Sequence, residues 1–224
     1  MTDGVAEKFP GRIFETPIAE AGIVGVGVGA AMAGMNPVIE IMYLDFITCA
    51  MDEVVNQAAK MRYFLGGQVE IPLVVRTPVV NRLGLGAQHS QSLEAWFIHV
   101  PGLRVVVPSN PADARGLIVA SIRDPNPVLF IENVRLYSRK GPVSEEVEPL
   151  EFGKVGILRK GKDVTVVTYG GMVGPCLDAA EQTAEDGIEC EVLDLRTLAP
   201  LDREGICESV RKTGKLIVVH EAVK

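Results

Sequence analysis

Four short β-rich apolar runs punctuate the first 137 residues: PVIEIMY (37–43), PLVVRT (72–77), LRVVVP (103–108) and PVLFIE (127–132). Runs this short and this continuously apolar suit strands buried on both faces, which requires helices to cover them. Helical patterns lie between them. FITCAMDEVVNQAAKMRYFLGG carries Met51, Val54, Val55, Ala58, Met61 and Leu65 on one apolar face, with Gly66 and Gly67 as a stop. SNPADARGLIVASIRD has a cap at Ser109 or Asn110 and Pro111 in its first turn. The series predicts an α/β fold, a parallel sheet flanked by helices.

The stretch YSRKGPVSEEVEPLEFG breaks this rhythm with charge and two prolines, so 138–152 reads as a linker between a first domain, 1–137, and a second, 153–224. In the second part DVTVVTYG, ECEVLDL and KLIVVHE read as strands, with helices through CLDAAEQTAEDG and from Asp202 through SVRKTG. No helix follows KLIVVHE, so this reads as a partial, truncated α/β domain or one completed by something else.

With 47% hydrophobic residues there is ample material for a core of this size. The 22 basic and 29 acidic residues leave a net charge of -7 with no basic run, which argues against nucleic acid or an anionic membrane as partner. The longest uncharged apolar stretch, Ala21 to Met35, falls short of the roughly 18 residues that a spanning helix needs. The polar start MTDGVAEKFPG is unlike a signal peptide, and the dispersed Cys49, Cys176, Cys190 and Cys207 suit reduced, mostly buried thiols. A cytoplasmic location is expected.

The glycine-rich stretch TPIAEAGIVGVGVGAAMAG admits two readings. Gly25, Gly27 and Ala30 fit a dinucleotide fingerprint, with Asp45 about where a ribose-binding acid would stand. That fingerprint needs a strand running into its first glycine, whereas Thr16 and Pro17 look like the cap and first residue of a helix already under way. On the second reading Gly22, Gly25, Gly29 and Ala33 form a smooth helix face for close packing, and the lone carboxylate Glu20 is the point of interest.

Glu20 is either an anion at a helix mouth, favoured by the helix dipole, or a buried acid able to exchange a proton near neutral pH. His89, in the glycine-flanked loop GLGAQHSQSLEAW, falls at the strand edge where parallel sheets bind ligands. It is either a surface residue or a proton shuttle. Tyr43 and Phe46 close the first strand near the same edge, where they could pack in the core or stack on a planar ring. The three histidines show no metal-ligand spacing, and no nucleophilic triad is apparent.

TPIAEAGIVGVGVGAAMAG, DEVVNQAAKMRYFLGGQ, the long run from GAQHSQSLEAW to FIENVRLY, and LDLRTLAPLD together resemble the beta subunit of thiamine-diphosphate-dependent 2-oxoacid dehydrogenases, which act on pyruvate, branched-chain oxoacids or acetoin. The resemblance implies a transketolase-like pyrimidine-binding domain followed by a transketolase C-terminal domain. It implies that Glu20 bonds a ring nitrogen of the cofactor's aminopyrimidine, that Phe46, with Tyr43 beside it, offers an aromatic face to that ring, and that His89 lines the substrate channel. It further implies oxidative decarboxylation of a small 2-oxoacid, pyruvate first, and reductive acylation of a lipoyl acyltransferase partner. In some members a structural potassium ion is held at positions matching Leu73, Ser121, Ile122, Asp124 and Asn126.

Where many relatives have a glycine-rich run after R-T-P, this chain has Val79, Val80, Asn81, Arg82 and Leu83, which bears on the width of the channel. The G-D-G motif that binds Mg2+ and diphosphate does not occur, so the resemblance implies a shared cofactor, with Mg2+ on an alpha subunit in a two-alpha, two-beta heterotetramer. The alternative is a truncated, non-catalytic assembly module of the same fold.

Overall fold

The computed structural model describes residues 4–80 and 83–223. Two sheets organise the chain. The first has the strand order β1-β2-β4-β3-β8, from β1 (Val38–Glu40), β2 (Val74–Val79), β3 (Arg104–Val106), β4 (Val128–Asn133) and β8 (Thr197–Ala199). β1, β2, β4 and β3 run parallel, in the register Val38 to Val74 to Val128 to Arg104, and β8 closes the edge antiparallel to β3. The second sheet, β5-β7-β6-β9, comprises β5 (Gly156–Arg159), β6 (Val164–Thr168), β7 (Cys190–Asp194) and β9 (Leu216–Val218), of which only β5 is antiparallel. β5 and β8 are too short to show a hydrophobic period in the sequence. β8 crosses the division expected from the sequence, because residues 197–199 belong to the first sheet.

A short α1 (Val5–Lys8) precedes α2, which spans Glu20–Met32, with Ala19 extended at its N-cap. The start expected at Thr16 and Pro17 is thus three residues early. The glycines do lie inside a helix, with no strand before them, which removes the dinucleotide reading. The close-packed face is also not the one expected. Val24, Gly27, Val28 and Ala31 recur at helical spacing and are buried, whereas Gly22, Gly25, Gly29 and Ala33 face outward. Of the α2 glycines only Gly27 is tightly approached: a Cβ there would stand 3.0 Å from both Ile39 Cγ2 and Leu73 Cδ1. The branched residues between the glycines carry the burial, and Gly27 lets the helix settle on β1 and the residue leading into β2.

The segment expected as one helix is a run of three short pieces, a 3-10 helix over Leu44–Ala50, a π-helical turn over Glu53–Ala58 and α3 (Met61–Phe64). Val54 and Ala58 of its expected face are buried, and Gly66 and Gly67 end it at φ 62° and 78°. After the short α4 (Glu94–Ile98), α5 (Pro111–Arg123) begins where Asn110 accepts a bond from Asp113 N at 2.9 Å. α6 (Val173–Glu185) and α7 (Arg203–Thr213) cover the second sheet, and Asp202 caps α7 by accepting from Gly205 N at 2.9 Å. Residues 139–151 carry no regular structure but lie along α5, where Leu150 N donates to Gly116 O at 3.2 Å. Of the four free cysteines, Cys176 and Cys190 are buried, while Cys49 and Cys207 are exposed, contrary to the expectation of mostly buried thiols. No helix among the described residues is long and apolar enough to cross a membrane.

Candidate functional site

Parallel strands deliver their C-terminal ends to one edge of a sheet, and the segments leaving that edge bring side chains together. Tyr43 follows β1 in extended conformation, and the 3-10 turn that starts at Leu44 places Phe46 three residues on, with Phe46 N donating to Tyr43 O at 3.0 Å. The segment after β2 brings His89 to the same place. The Tyr43 and Phe46 rings lie 5.4 Å apart, and His89 stands 5.2 Å from Tyr43 and 5.1 Å from Phe46, all three pairs edge to face. These separations are within the range at which aromatic rings attract one another.

Asp45 holds this arrangement. It is buried, and its Oδ1 accepts from Gln91 N at 3.2 Å and Gln91 Nε2 at 2.8 Å, tying the His89 segment to the 44–50 turn. Asp45 therefore serves the loop rather than a ribose. Gly84 and Gly86, at φ 73° and 86°, supply turns ahead of His89 that L side chains resist. Leu83 is exposed near this turn, while Val79 and Val80 are buried; Asn81 and Arg82 lie outside the described residues.

Glu20 is the first residue of α2, the position where a negative charge is favoured by the helix dipole. It is half-buried, and among the described residues its carboxylate has no hydrogen-bond or ion-pair partner. No bond or ring contact joins it to Tyr43, Phe46 or His89. The helix it opens does pack on the 44–58 segment, where Gly25 comes within 3.9 Å of Glu53 Cγ in Cβ terms.

Residues 1–140 match the transketolase pyrimidine-binding domain, and residues 153–224 match the transketolase C-terminal domain. The chain is 50% identical to the mitochondrial pyruvate dehydrogenase E1 component subunit beta-1 of Arabidopsis thaliana, over 99% of this chain and 62% of that protein. It is 47% identical to the beta subunit of acetoin:2,6-dichlorophenolindophenol oxidoreductase of Cupriavidus necator, over 99% of this chain and 66% of that one. With the pyruvate dehydrogenase E1 component subunit beta of Rickettsia bellii it shares 48% identity, over 99% and 68%.

The chain belongs to the 2-oxoacid dehydrogenase beta-subunit family.

It spans 62% to 68% of the length of these relatives. A solved structure of similar fold, described as a split gene transketolase, inactive beta4 tetramer, superposes with a TM-score of 0.84 at 27% identity, covering 99% of this chain and 69% of that one. A family member with this fold presents Tyr43, Phe46 and His89 as one cluster and Glu20 apart from it on α2.

The five positions matched to a potassium ion gather around the exit of α5 and the entry to β2. Their groups already have protein partners: Leu73 O accepts from Val128 N, Ser121 O from Asp124 N and Ile122 O from Asn36 Nδ2. Asp124 Oδ1 accepts from Asn126 N and Nδ2 at 2.8 Å, and Asp124 Oδ2 lies 3.3 Å from Arg104 Nε.

Sequence reasoning passed over two further groups near the sheet edge. Arg76 binds Glu132 through two near-parallel bonds, Nε to Oε1 and Nη2 to Oε2, each 3.0 Å, and Tyr137 Oη donates to Glu132 Oε2 at 2.8 Å. Burial, with the Glu132 bond behind it, holds the Tyr137 phenol above its usual range. Glu94 and Glu221 face a cavity between the two sheets. Arg76 and Glu132 sit on neighbouring strands, a pairing that only the strand order reveals. Glu94 and Glu221 lie 127 residues apart, with no motif linking them.

Proposed function

We propose that this chain is the beta subunit of a thiamine-diphosphate-dependent 2-oxoacid dehydrogenase, acting on a small 2-oxoacid, pyruvate first. The observation that carries the reading is the convergence of Tyr43, Phe46 and His89 at the C-terminal edge of the first sheet, in a chain whose relatives are named for this chemistry. The residues suit the cofactor's aminopyrimidine half: a carboxylate free of protein partners at Glu20, and an aromatic face at the half-buried Phe46. When bound, thiamine diphosphate supplies an electron sink for decarboxylation.

In this reading Glu20 holds the proton at the aminopyrimidine ring nitrogen, and the α2 dipole steadies its anionic form. Phe46 fixes the plane of the ring, and Tyr43 supports Phe46. His89, braced by both rings and by the Asp45–Gln91 bonds, moves a proton at the acyl-transfer end of the site. The diphosphate and Mg2+ belong on an alpha subunit in a two-alpha, two-beta assembly, and the acyl group passes to a lipoyl acyltransferase core. The pyrimidine-binding domain is assigned to 1–137, the linker to 138–152 and the C-terminal domain to 153–224, in a cytoplasmic protein. A potassium ion among Leu73, Ser121, Ile122, Asp124 and Asn126 would have to share Ile122 O with Asn36 Nδ2, so potassium should raise the melting temperature more in Asn36→Ala than in the parent.

The test mixes the full chain with a cognate alpha subunit and follows 2-oxoacid-dependent carbon dioxide release. Activity that needs both chains and thiamine diphosphate is the expected result. No turnover and no cofactor binding with any alpha partner would favour a non-catalytic assembly module instead.

A further inference from the structure

The C-terminal ends of both parallel sheets meet across a small cavity. Val79, Val107 and Asn133 lead into it from the first sheet, and Tyr169, Gly171 and Glu221 from the second. It holds about 10 Å3, room for one water molecule. Glu94, the first residue of α4, points its carboxyl there. Glu94 is only 4% exposed, and its Oε2 has no hydrogen-bond partner. A buried, unpartnered carboxylate oxygen is strongly disfavoured when ionised, so the site calls for a proton on it or a donor beside it.

The groups around Glu94 decide which carboxylate takes the proton. Glu221 accepts from Asn133 Nδ2 at 3.0 Å and lies 3.6 Å from Arg135 Nη1, so its charge is compensated. Glu132, on β4, is compensated by Arg76 and Tyr137. Tyr169 stacks on His220 at 6.5 Å and 7°, and burial, with the charges of Glu94 and Glu221, holds its phenol protonated. His99 lies on the residue following α4, and His89 on the segment before it. Among the described residues Glu94, unlike Glu132 and Glu221, has no cationic partner. Burial pushes its carboxyl up to about 7 against a bond from its own backbone N–H, and the charge of Glu221 adds to the rise.

We propose that Glu94 is a positioning residue for His89: neutral, it seats α4 against Glu221 and the second sheet; ionised, it is repelled, and α4 shifts together with the His89 segment. Four residues separate Glu94 from His89, and Gln91 among them is the residue bound to Asp45, so a displacement of α4 is passed directly to the ring cluster. The catalytic meaning of His89 rests on the proposed function, but the coupling does not.

Trp96, the sole tryptophan, sits two residues beyond Glu94 on α4 and reports its surroundings. The experiment follows Trp96 emission of the full chain against pH in a His99→Gln background, which removes the neighbouring imidazole. An inflection near pH 7 is expected, lost in Glu94→Gln and moved to lower pH in Glu221→Gln. At pH 8.5, well above the inflection, the His89 imidazole proton resonance should differ between the parent and Glu94→Gln. A flat parent profile, an inflection that survives Glu94→Gln, or one that Glu221→Gln leaves in place overturns the proposal, as does an identical His89 resonance. Should Glu94→Gln fail to fold, Glu221→Gln decides the matter alone. These measurements need neither cofactor nor alpha subunit, so their failure leaves the proposed function standing, and loss of catalysis leaves the coupling standing.

Discussion

Glu20 shows how much one residue can carry. As the first residue of α2 it gains from the helix dipole whether or not a ligand is present, so its placement is cheap and its carboxylate stays available. Glu20→Gln keeps the shape and removes the charge. In the assembly with an alpha subunit it should lower the decarboxylation rate by roughly 10²- to 10⁴-fold. The melting temperature of the chain should hardly move, because no protein partner is lost; a large drop in calorimetry would mean the residue is structural. Glu20 and His89 stand out in the sequence as candidates because each sits in a long specific motif. Glu94 was not, since a glutamate opening a helix after a loop looks like any other until the second sheet closes over it.

At the scale of single elements, local chemistry set the outcome wherever the side chain acts within one turn. Asn110, one of two cap candidates beside Ser109, and Asp202, expected to open its helix, each bond an N–H three residues on. Asp202 also accepts from Val155 N at 3.0 Å, so Asp202→Ala should cost about 1–2 kcal/mol in chemical denaturation, at the upper end for a lost cap. The start of α2 was misread because Thr16 and Pro17 offer a local signal, while the burial of Val24, Gly27, Val28 and Ala31 fixes where the helix lies. The 44–64 segment was read as regular for a similar reason: its apolar face is real, but its packing uses three helical pitches. Gly102 bounds that packing. It has φ 96°, and a Cβ there would stand 2.1 Å from Ala59 O. Gly102→Ala should therefore destabilise the chain by about 2 kcal/mol or more, read as a lowered denaturation midpoint.

Over the whole molecule, the alternation of strands and helices made the parallel sheets legible, whereas the contacts between the two halves were not. Residues 194–199 carry the main junction. Ser109 Oγ donates to Asp194, Arg196 N donates to Asp194 Oδ1 at 3.1 Å, and Arg196 Nε donates to Asp113 Oδ2 at 2.9 Å. Arg196 holds φ 58°, unusual for a residue with a side chain, in order to make that turn into β8. Burial pushes Asp194 up to about 6, against the Ser109 and Arg196 bonds. A carboxyl raised in the folded state binds its proton more tightly there than when unfolded. Its contribution is therefore fully present below about pH 4, the unfolded value, and is lost as the pH climbs through 6. The stability of the parent relative to Asp194→Asn should fall between pH 4 and 7, measured by denaturant titration at each pH; a constant difference would place the proton elsewhere.

Glu20 is proposed to activate a thiamine cofactor shared with another chain. This role is tested most directly by the rate at which the thiazolium carbon of bound thiamine diphosphate exchanges its proton for deuterium, followed by quenched-flow NMR on the assembled alpha and beta chains. Fast exchange is expected in the parent, and a rate lower by roughly 10²-fold or more in Glu20→Gln with the cofactor still bound. Equal rates in the two assemblies would contradict that role.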